Sequence, residues 1–130
     1  NRRDGGPTRQ TRVAATGESR VALRVLSGLL AVLFMVSGAE KLQGSEECVR
    51  NFALWGYPDW LRVLVGGVEV TSAVFLPVPR TTFVGAVPLI VVAAGATYTH
   101  LYRAAGEGGT ATIALVLLGL LCLLAYARRP

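Results

Sequence analysis

Glu69 is the charged residue whose position in this chain is hardest to explain without a specific role. It lies in the middle of an apolar stretch, ten residues after Asp59, which corresponds to about 15 Å along a helix. A carboxylate in apolar surroundings is costly, so it is either neutral or paired. We expect Glu69 to act as a proton or ligand site, or as the structural partner of Lys41, Ser37 or Thr97. Both interpretations turn its side chain away from lipid.

Lys41 is the first candidate partner for Glu69. It follows Gly38 at the end of the first apolar stretch, where a lysine can extend its stem to reach polar surroundings. Pairing with Glu69 requires the first two long helices to approach closely, which the small residues Gly66 and Gly67 allow. The two alternatives are therefore a solvated lysine and a buried ion pair.

His100 is the single histidine, and it ends the third apolar stretch beside Tyr98 and Tyr102. A lone histidine without a cysteine pair or a carboxylate cluster is a poor metal site, so no bound metal is expected. A neutral imidazole at this position is suited to a hydrogen bond, either with Glu40 or with the headgroup of a ligand.

The two cysteines do not form a redox pair. Cys48 lies in the longest loop and Cys122 near the end of the last apolar stretch, so we expect them at opposite faces of a membrane. That separation is far beyond the roughly 7 Å between Cα atoms that a disulfide tolerates. The sequence also lacks a glycine-rich phosphate loop, a nucleophile elbow and a carboxylate pair at catalytic spacing. We therefore predict no catalytic residues and no turnover by this chain alone.

Four apolar stretches must position these residues, and each is close to the roughly 17–25 residues that cross a bilayer as a helix. Apolar residues make up 52% of the chain, charged residues 16%, and the mean hydropathy is +0.50. Short connections favour antiparallel neighbours. The sequence therefore predicts an all-α fold, an up-down bundle of four transmembrane helices. The stretches are Val21–Gly38, Leu61–Leu76, Thr82–Leu101 and Ala111–Tyr126.

The segment between the first two stretches has room for a short helix. Ser45 is a suitable N-cap, followed by two glutamates in the first turn, and Gly56 with Pro58 ends the pattern. We expect this helix to lie at the membrane surface. Its aromatic residues either form an ordinary interfacial belt or cap a cavity between the spans; they are Phe52, Trp55, Tyr57 and Trp60.

The basic residues predict the orientation. With four spans both termini share one side, which carries nine Arg and Lys residues against four on the other. Positive charge favours the cytoplasm, so we expect both termini there, in the inner (cytoplasmic) membrane. The net charge of +5 then indicates contact with anionic lipid rather than nucleic acid. Residues 1–20 read as a basic polar tail too poor in apolar groups to fold alone, and residues 21–130 as the transmembrane domain.

Four motifs in order resemble the DoxX-like family of small four-span membrane proteins. The resemblance covers about Leu23 to Pro130, and the tail has no counterpart in it. The motifs are Gly38-x-x-Lys41-Leu42 after the first span, Phe52-x-x-Trp55-Gly56-Tyr57-Pro58-x-Trp60-Leu61 before the second, Gly66-x-x-Glu69 within the second, and Gly95-Ala96-x-x-Thr99-His100-Leu101 at the end of the third.

The resemblance implies the fold but no single function, because the family is associated with quinone- and thiol-linked redox complexes and with chaperone-like roles. Our first hypothesis is a non-catalytic accessory subunit that packs in a larger membrane complex without a cofactor, with other membrane subunits and the lipid bilayer as partners. The tail is then expected to contact a neighbouring subunit. A second hypothesis is a subunit that supplies a quinone pocket lined by Glu69, Tyr98 and His100. A third is a small carrier or ligand-binding bundle with Glu69 as its site.

Overall fold

The computed structural model describes residues 9–103 and 108–130, with side chains described for 17–103 and 111–130. Within these ranges every regular element is helical and there is no strand, so the predicted all-α class is confirmed. The helices are α1 (Arg9–Gln43), α2 (Glu46–Leu54), α3 (Asp59–Phe75), α4 (Thr82–Tyr98) and α5 (Gly108–Arg128), with a π-helical turn over Thr99–Arg103 after α4.

Three segments of the described chain have the length and hydropathy of membrane spans, which makes this a multi-pass membrane protein. They are Gly17–Gln43, Thr82–Arg103 and Ala111–Arg128. Helix α3 is not among them, because it has 17 residues and carries Asp59, Arg62 and Glu69. The predicted bundle of four spans is thus supported for three helices, and the crossing by α3 stays a prediction.

Helix α1 begins much earlier than the apolar stretch predicted for it. Its backbone is helical from Arg9, so much of the segment predicted as a separate polar tail continues the helix, and residues 1–8 lie outside the described part. A helix already formed adds one hydrogen bond for each residue that it fixes, so extension needs no core of its own. The side chains from Gly17 to Ala22 are all exposed.

Helix α2 has the start and end that the sequence predicts. The Ser45 side chain accepts a hydrogen bond from the Cys48 backbone N–H at 3.3 Å. At the other end Gly56 takes φ of 82°, and two backbone bonds close the helix: Gly56 N–H to Ala53 O at 3.1 Å and Tyr57 N–H to Phe52 O at 2.9 Å. This is the Schellman arrangement, which favours glycine because its left-handed φ strains other residues.

The four long helices pack in chain order, α1 on α3, α3 on α4 and α4 on α5. Glycine permits the closest approach of α1 to α3: a Cβ placed on Gly38 would lie 2.8 Å from the Gly66 carbonyl oxygen. The same holds for α4 and α3, because a Cβ placed on Gly85 would lie 2.6 Å from the Ser72 carbonyl oxygen. The apolar core lies toward the α3–α4 turn, with all four helices contributing; its largest members are Leu30, Phe34, Leu76, Leu89, Leu121 and Leu124.

Candidate functional site

A cavity of about 1070 Å³ lies between the long helices, next to the core, and Phe34 and Ala93 of the core form part of its wall. Helix α2 and the residues after it cover one side of this cavity. Most of the wall is aliphatic, with one buried ion pair and a group of aromatic rings. The aliphatic wall includes Leu64, Val65, Val68, Val91, Val92 and Leu117.

The ion pair joins Lys41 of α1 to Glu69 of α3. The Lys41 Nζ atom lies 2.8 Å from Glu69 Oε1, and the side chains are 18% and 3% exposed. Lys41 Nζ also donates a hydrogen bond to Ser37 Oγ at 2.8 Å. The pairing that the sequence analysis considered is therefore present, and neither charge lies unpaired in apolar surroundings.

The backbones of α1 and α3 approach closely beside this ion pair, which allows Lys41 to contact Glu69. A Cβ on Gly66 would lie 2.9 Å from both the Gly38 carbonyl oxygen and Lys41 Cβ. Since nothing larger than hydrogen fits there, the two charged side chains emerge from helices in direct contact. Gly67, which the sequence also suggested for this role, is not part of the contact, because its Cβ position has no such neighbour within 4 Å.

Glu69 can accept a further hydrogen bond besides its contact with Lys41. Lys41 Nζ lies 2.8 Å from the buried Oε1 atom of Glu69, and no second donor among the described residues bonds to this atom. A carboxylate oxygen has two lone pairs, so it can accept one more hydrogen bond beside the contact with the ammonium group. A buried carboxylate oxygen in this state gains free energy from any further donor placed in the cavity.

Four rings cover the cavity on the side of α2, and we call them the aromatic lid: Phe52, Trp55, Tyr57 and His100. The Trp55 and His100 rings meet edge to face, with centroids 5.2 Å apart. Phe52 lies between Trp55 and Tyr57 at 5.5 and 6.0 Å. Such tilted and edge-on pairs are favourable arrangements for aromatic rings, so the lid is a packed unit rather than a set of separate interfacial side chains.

One hydrogen bond fastens the lid to the end of α4. The Tyr57 hydroxyl lies 2.6 Å from Thr99 Oγ1, and Thr99 Oγ1 donates to the Gly95 carbonyl oxygen at 2.9 Å. A hydroxyl has one hydrogen to donate. Because Thr99 uses its hydrogen on Gly95, Tyr57 is the donor to Thr99, and the Tyr57 oxygen retains lone pairs for a ligand.

Two arginines hold the surrounding elements in place. Arg103 donates to the Trp55 carbonyl oxygen at 3.0 Å and lies over the Tyr57 ring at 5.1 Å. Arg62 donates to the Lys41 carbonyl oxygen and forms an ion pair with Asp59 at 3.1 Å. Arg62 therefore ties the last turn of α1 to α3, next to the residue that carries the cavity's positive charge.

The π-helical turn brings the end of α4 into the site. Thr99 is buried and His100 lines the cavity, whereas Tyr98 is 50% exposed and packs on Tyr102 at 5.2 Å. A π-helical turn shifts the following side chains relative to an α-helix, and such turns are frequent at functional sites. No residue type in this segment signals the turn.

Two of the three residues predicted for a ligand pocket therefore share the cavity. Glu69 and His100 line it, and Tyr98 lies outside its lining. Cys48 is on the wall, Cys122 is exposed on α5, and both are free thiols. The described residues contain no group of His, Cys, Asp and Glu that would hold a metal ion.

The sequence analysis named Tyr57 among the aromatic residues that either form an interfacial belt or cap a cavity, but it gave Thr99 no role of its own. The structure shows that together they close the site. Tyr57 read equally well as a member of an interfacial belt, and Thr99 as a polar residue ending a span. The available signal was the turn after α2: Gly56 at φ of 82° reverses the chain and sends the next side chain back over α2, where Tyr57 meets Phe52.

Comparison with known proteins identifies the family and nothing finer. No curated protein and no solved structure matches the chain. The model of the DoxX-like family matches residues 25–125, a range that contains the buried ion pair, the aromatic lid and all of the cavity wall. The chain therefore belongs to the DoxX-like family, as its four motifs indicated.

Proposed function

We propose that this protein binds a neutral, lipid-soluble ring compound of the quinone type in the cavity, with the polar ring next to Lys41 and Glu69. The observation that carries this proposal is a large, mostly aliphatic cavity with the Lys41–Glu69 ion pair in its wall, where Glu69 Oε1 has no donor other than Lys41 among the described residues. Ligand sites of this kind combine an apolar wall with a few convergent polar groups. The volume of about 1070 Å³ lies slightly above the roughly 300–1,000 Å³ typical of such sites.

The charges deep in the cavity favour a neutral headgroup. Lys41 and Glu69 sum to zero, and the remaining charged residue of the lining, Glu47, is exposed on α2. A charged ligand beside the Lys41–Glu69 pair would therefore bring an unbalanced charge into a buried site at a cost of several kcal/mol. A ring carbonyl accepts from the lysine, and a ring hydroxyl donates to Glu69 Oε1. The Tyr57 oxygen offers a further acceptor on the other side of the cavity. This pattern suits both the oxidised and the reduced form of a quinone.

Tryptophan fluorescence gives a direct test, because the chain has two tryptophans in different settings. Trp55 lines the cavity, and Trp60 is 65% exposed. In Trp60→Phe protein held in lipid nanodiscs, a short-tailed quinone is expected to quench Trp55 emission saturably. Trp55→Phe is the matched control, since its remaining Trp60 should show only a quench proportional to quinone concentration.

The charged pair supplies the second arm of the same experiment. Lys41→Met and Glu69→Gln, each made in the Trp60→Phe background, should weaken quinone binding about tenfold or more, because each removes a charge-assisted hydrogen bond worth roughly 1.5–3 kcal/mol. Quenching that never saturates, or saturates equally in both variants, would remove the support for a ring-binding site.

The placement that we propose has four crossings, with α3 as the second. Its 17 residues give about 25 Å at 1.5 Å per residue. Arg62 and Glu69 contact α1, and Asp59 is the first residue of the helix. In this placement the protein lies in the inner membrane and both termini lie in the cytoplasm, as the distribution of arginines predicts. An impermeant maleimide should modify Cys48 but not Cys122 in intact cells; the opposite pattern would reverse the orientation.

A second candidate is the accessory subunit, and the exposed start of α1 favours it. The side chains from Gly17 to Ala22 are all exposed, and the first buried side chain of α1 in the described range is Ser27. A helix that continues beyond its own bundle presents a surface for a neighbouring subunit. The arginines of this region suit an acidic partner surface.

The two candidates predict opposite results. For an accessory subunit, deletion of residues 1–19 should weaken co-purification with the partner complex while the chain stays inserted, and Glu69→Gln should leave the partner's activity unchanged. For a quinone-binding subunit, the deletion should be tolerated and Glu69→Gln should impair the partner's quinone-dependent turnover. Purification of the chain as a monomer that retains a quinone would count against the accessory role.

A further inference from the structure

A shallow groove of about 480 Å³ runs along the outside of the bundle between α3 and α4. Its walls include Leu64, Val68 and Pro88, and the same three side chains also line the large cavity. The groove and the cavity are therefore two sides of one layer of side chains. The groove continues outward past Val63 and Gly67 to Thr71.

The packing of α3 on α4 explains why a gap exists here. The helices touch near their connecting turn, where Gly85 meets the Ser72 carbonyl oxygen and Thr82 Oγ1 donates to the Leu76 carbonyl oxygen at 2.7 Å. Five residues before Ser72 on α3, the Cβ position of Gly67 has no neighbouring atom within 4 Å in the described part of the chain. The two helices are thus joined at one end and leave space between them toward the other.

The side chains at this gap are those of a membrane-facing surface. Val63 and Leu64 are 45% and 53% exposed, and Val91, which lines the cavity from α4, is 69% exposed. An aliphatic surface with this exposure in a multi-pass membrane protein faces hydrocarbon. The cavity thus adjoins the lipid through a wall of a few aliphatic side chains, while the aromatic lid covers it on the side of α2.

From these observations we infer that the ligand reaches the cavity from the bilayer between α3 and α4, and that its apolar tail rests in this groove when its ring lies at Lys41. The inference rests on the proposed function and narrows it to a ring compound with a linear hydrocarbon or isoprenoid tail. Leu64, Val68 and Pro88 line both the groove and the cavity. Because the two are adjacent, we assign the groove to the tail of the molecule whose ring lies in the cavity. A bulk lipid chain is the competing occupant.

Gly67 provides a test that leaves the ring site intact. It lies in the groove, does not line the cavity, and has open space at its Cβ position. Gly67→Phe should therefore fill the groove without displacing the helices. Gly119→Phe is the matched control, because Gly119 also has no neighbour within 4 Å and lies on α5, outside both linings.

The measurement is quenching of Trp55 in the Trp60→Phe background by two probes, a quinone with a short alkyl tail and the same quinone ring without a tail. We expect Gly67→Phe to weaken binding of the tailed probe by about tenfold or more, as overfilled sites do. Binding of the tail-less probe should be unchanged, which also shows that the variant is folded. Gly119→Phe should bind both probes as the parent does. Thr71→Phe, one turn along the same groove, should repeat the pattern.

The outcomes separate this inference from the function on which it rests. If Gly67→Phe and Thr71→Phe bind the tailed probe as the parent does, a bulk lipid fills the groove and the inference is overturned. If both probes lose affinity equally in these variants, the change acts on the ring site and the tail placement is again refuted. If neither probe quenches the parent saturably, the proposed function itself fails and the inference falls with it.

Discussion

Replacing Gly38 by alanine tests the contact that brings the charged pair together. The new Cβ would lie 2.7 Å from Val70 Cγ2, 2.8 Å from the Gly66 carbonyl oxygen and 3.0 Å from Glu69 Cβ. The valine methyl group can rotate away, but the carbonyl oxygen belongs to the backbone of α3. Relief of that overlap requires α1 and α3 to separate by several tenths of an ångström.

The expected cost follows from two opposing terms. Overfilling a packed contact costs about 1–3 kcal/mol, whereas glycine to alanine in a helix gains roughly 0.5–1 kcal/mol. Gly28→Ala is the matched control on the same helix, because its Cβ position has no neighbour within 4 Å and only the gain applies. The difference in unfolding free energy between the two variants should therefore be about 1–3 kcal/mol, with Gly38→Ala the less stable.

The assay is reversible unfolding in mixed micelles, followed by far-UV circular dichroism as the fraction of denaturing detergent rises. Gly28→Ala should unfold at a slightly higher fraction than the parent and Gly38→Ala at a clearly lower one. Gly38→Ala should also weaken quinone quenching of Trp55, since the lysine and carboxylate move apart with their helices. Equal stability of the two variants would refute the claim that these backbones are in contact.

Three further predictions concern single side chains of the site, each measured by the same unfolding assay. Lys41→Met leaves Glu69 buried without its partner and should cost about 3–5 kcal/mol, most of which should return in the double variant Lys41→Met, Glu69→Leu; an unrestored double variant would contradict the pairing. Tyr57→Phe removes the bond to Thr99 and should cost about 0.5–1.5 kcal/mol, so an unchanged midpoint would mean that the lid is not fastened there. Arg62→Met removes the charged donor to the end of α1 and should cost about 1.5–3 kcal/mol, with Arg62→Lys recovering little because lysine lacks the planar fork.

The parts of the fold that the sequence predicts well are those set by local patterns. Long apolar runs with polar ends fix the existence of helices, and Ser45 with Gly56 fixes the bounds of α2 through its caps. The Lys41–Glu69 pair was also accessible, because a mid-helix carboxylate in apolar surroundings leaves few choices of partner. The first helix begins at Arg9 and is therefore longer than the predicted stretch, which begins at Val21. A polar sequence can extend a helix that an apolar segment has already nucleated.

The cavity itself could not be predicted from the sequence. Its shape depends on where α3 and α4 separate, and small residues near that gap have different roles: Gly66 and Gly85 permit contact, whereas Gly67 leaves space. The π-helical turn begins at Thr99, after Tyr98, and His100 within it lines the cavity. Neither helix separation nor a single shifted turn has a sequence pattern of its own, because both follow from packing over the whole bundle.

Because the charges of Lys41 and Glu69 balance, the membrane potential should have little effect on ligand binding at this pair. A membrane potential acts on net charge, at about 2.3 kcal/mol per elementary charge moved across 100 mV. Because the two opposite charges lie 2.8 Å apart, their site is a small dipole, and a neutral molecule that moves from the lipid to this pair carries no charge through the field. Occupancy of the cavity by a neutral ligand should therefore be the same in energised and de-energised vesicles.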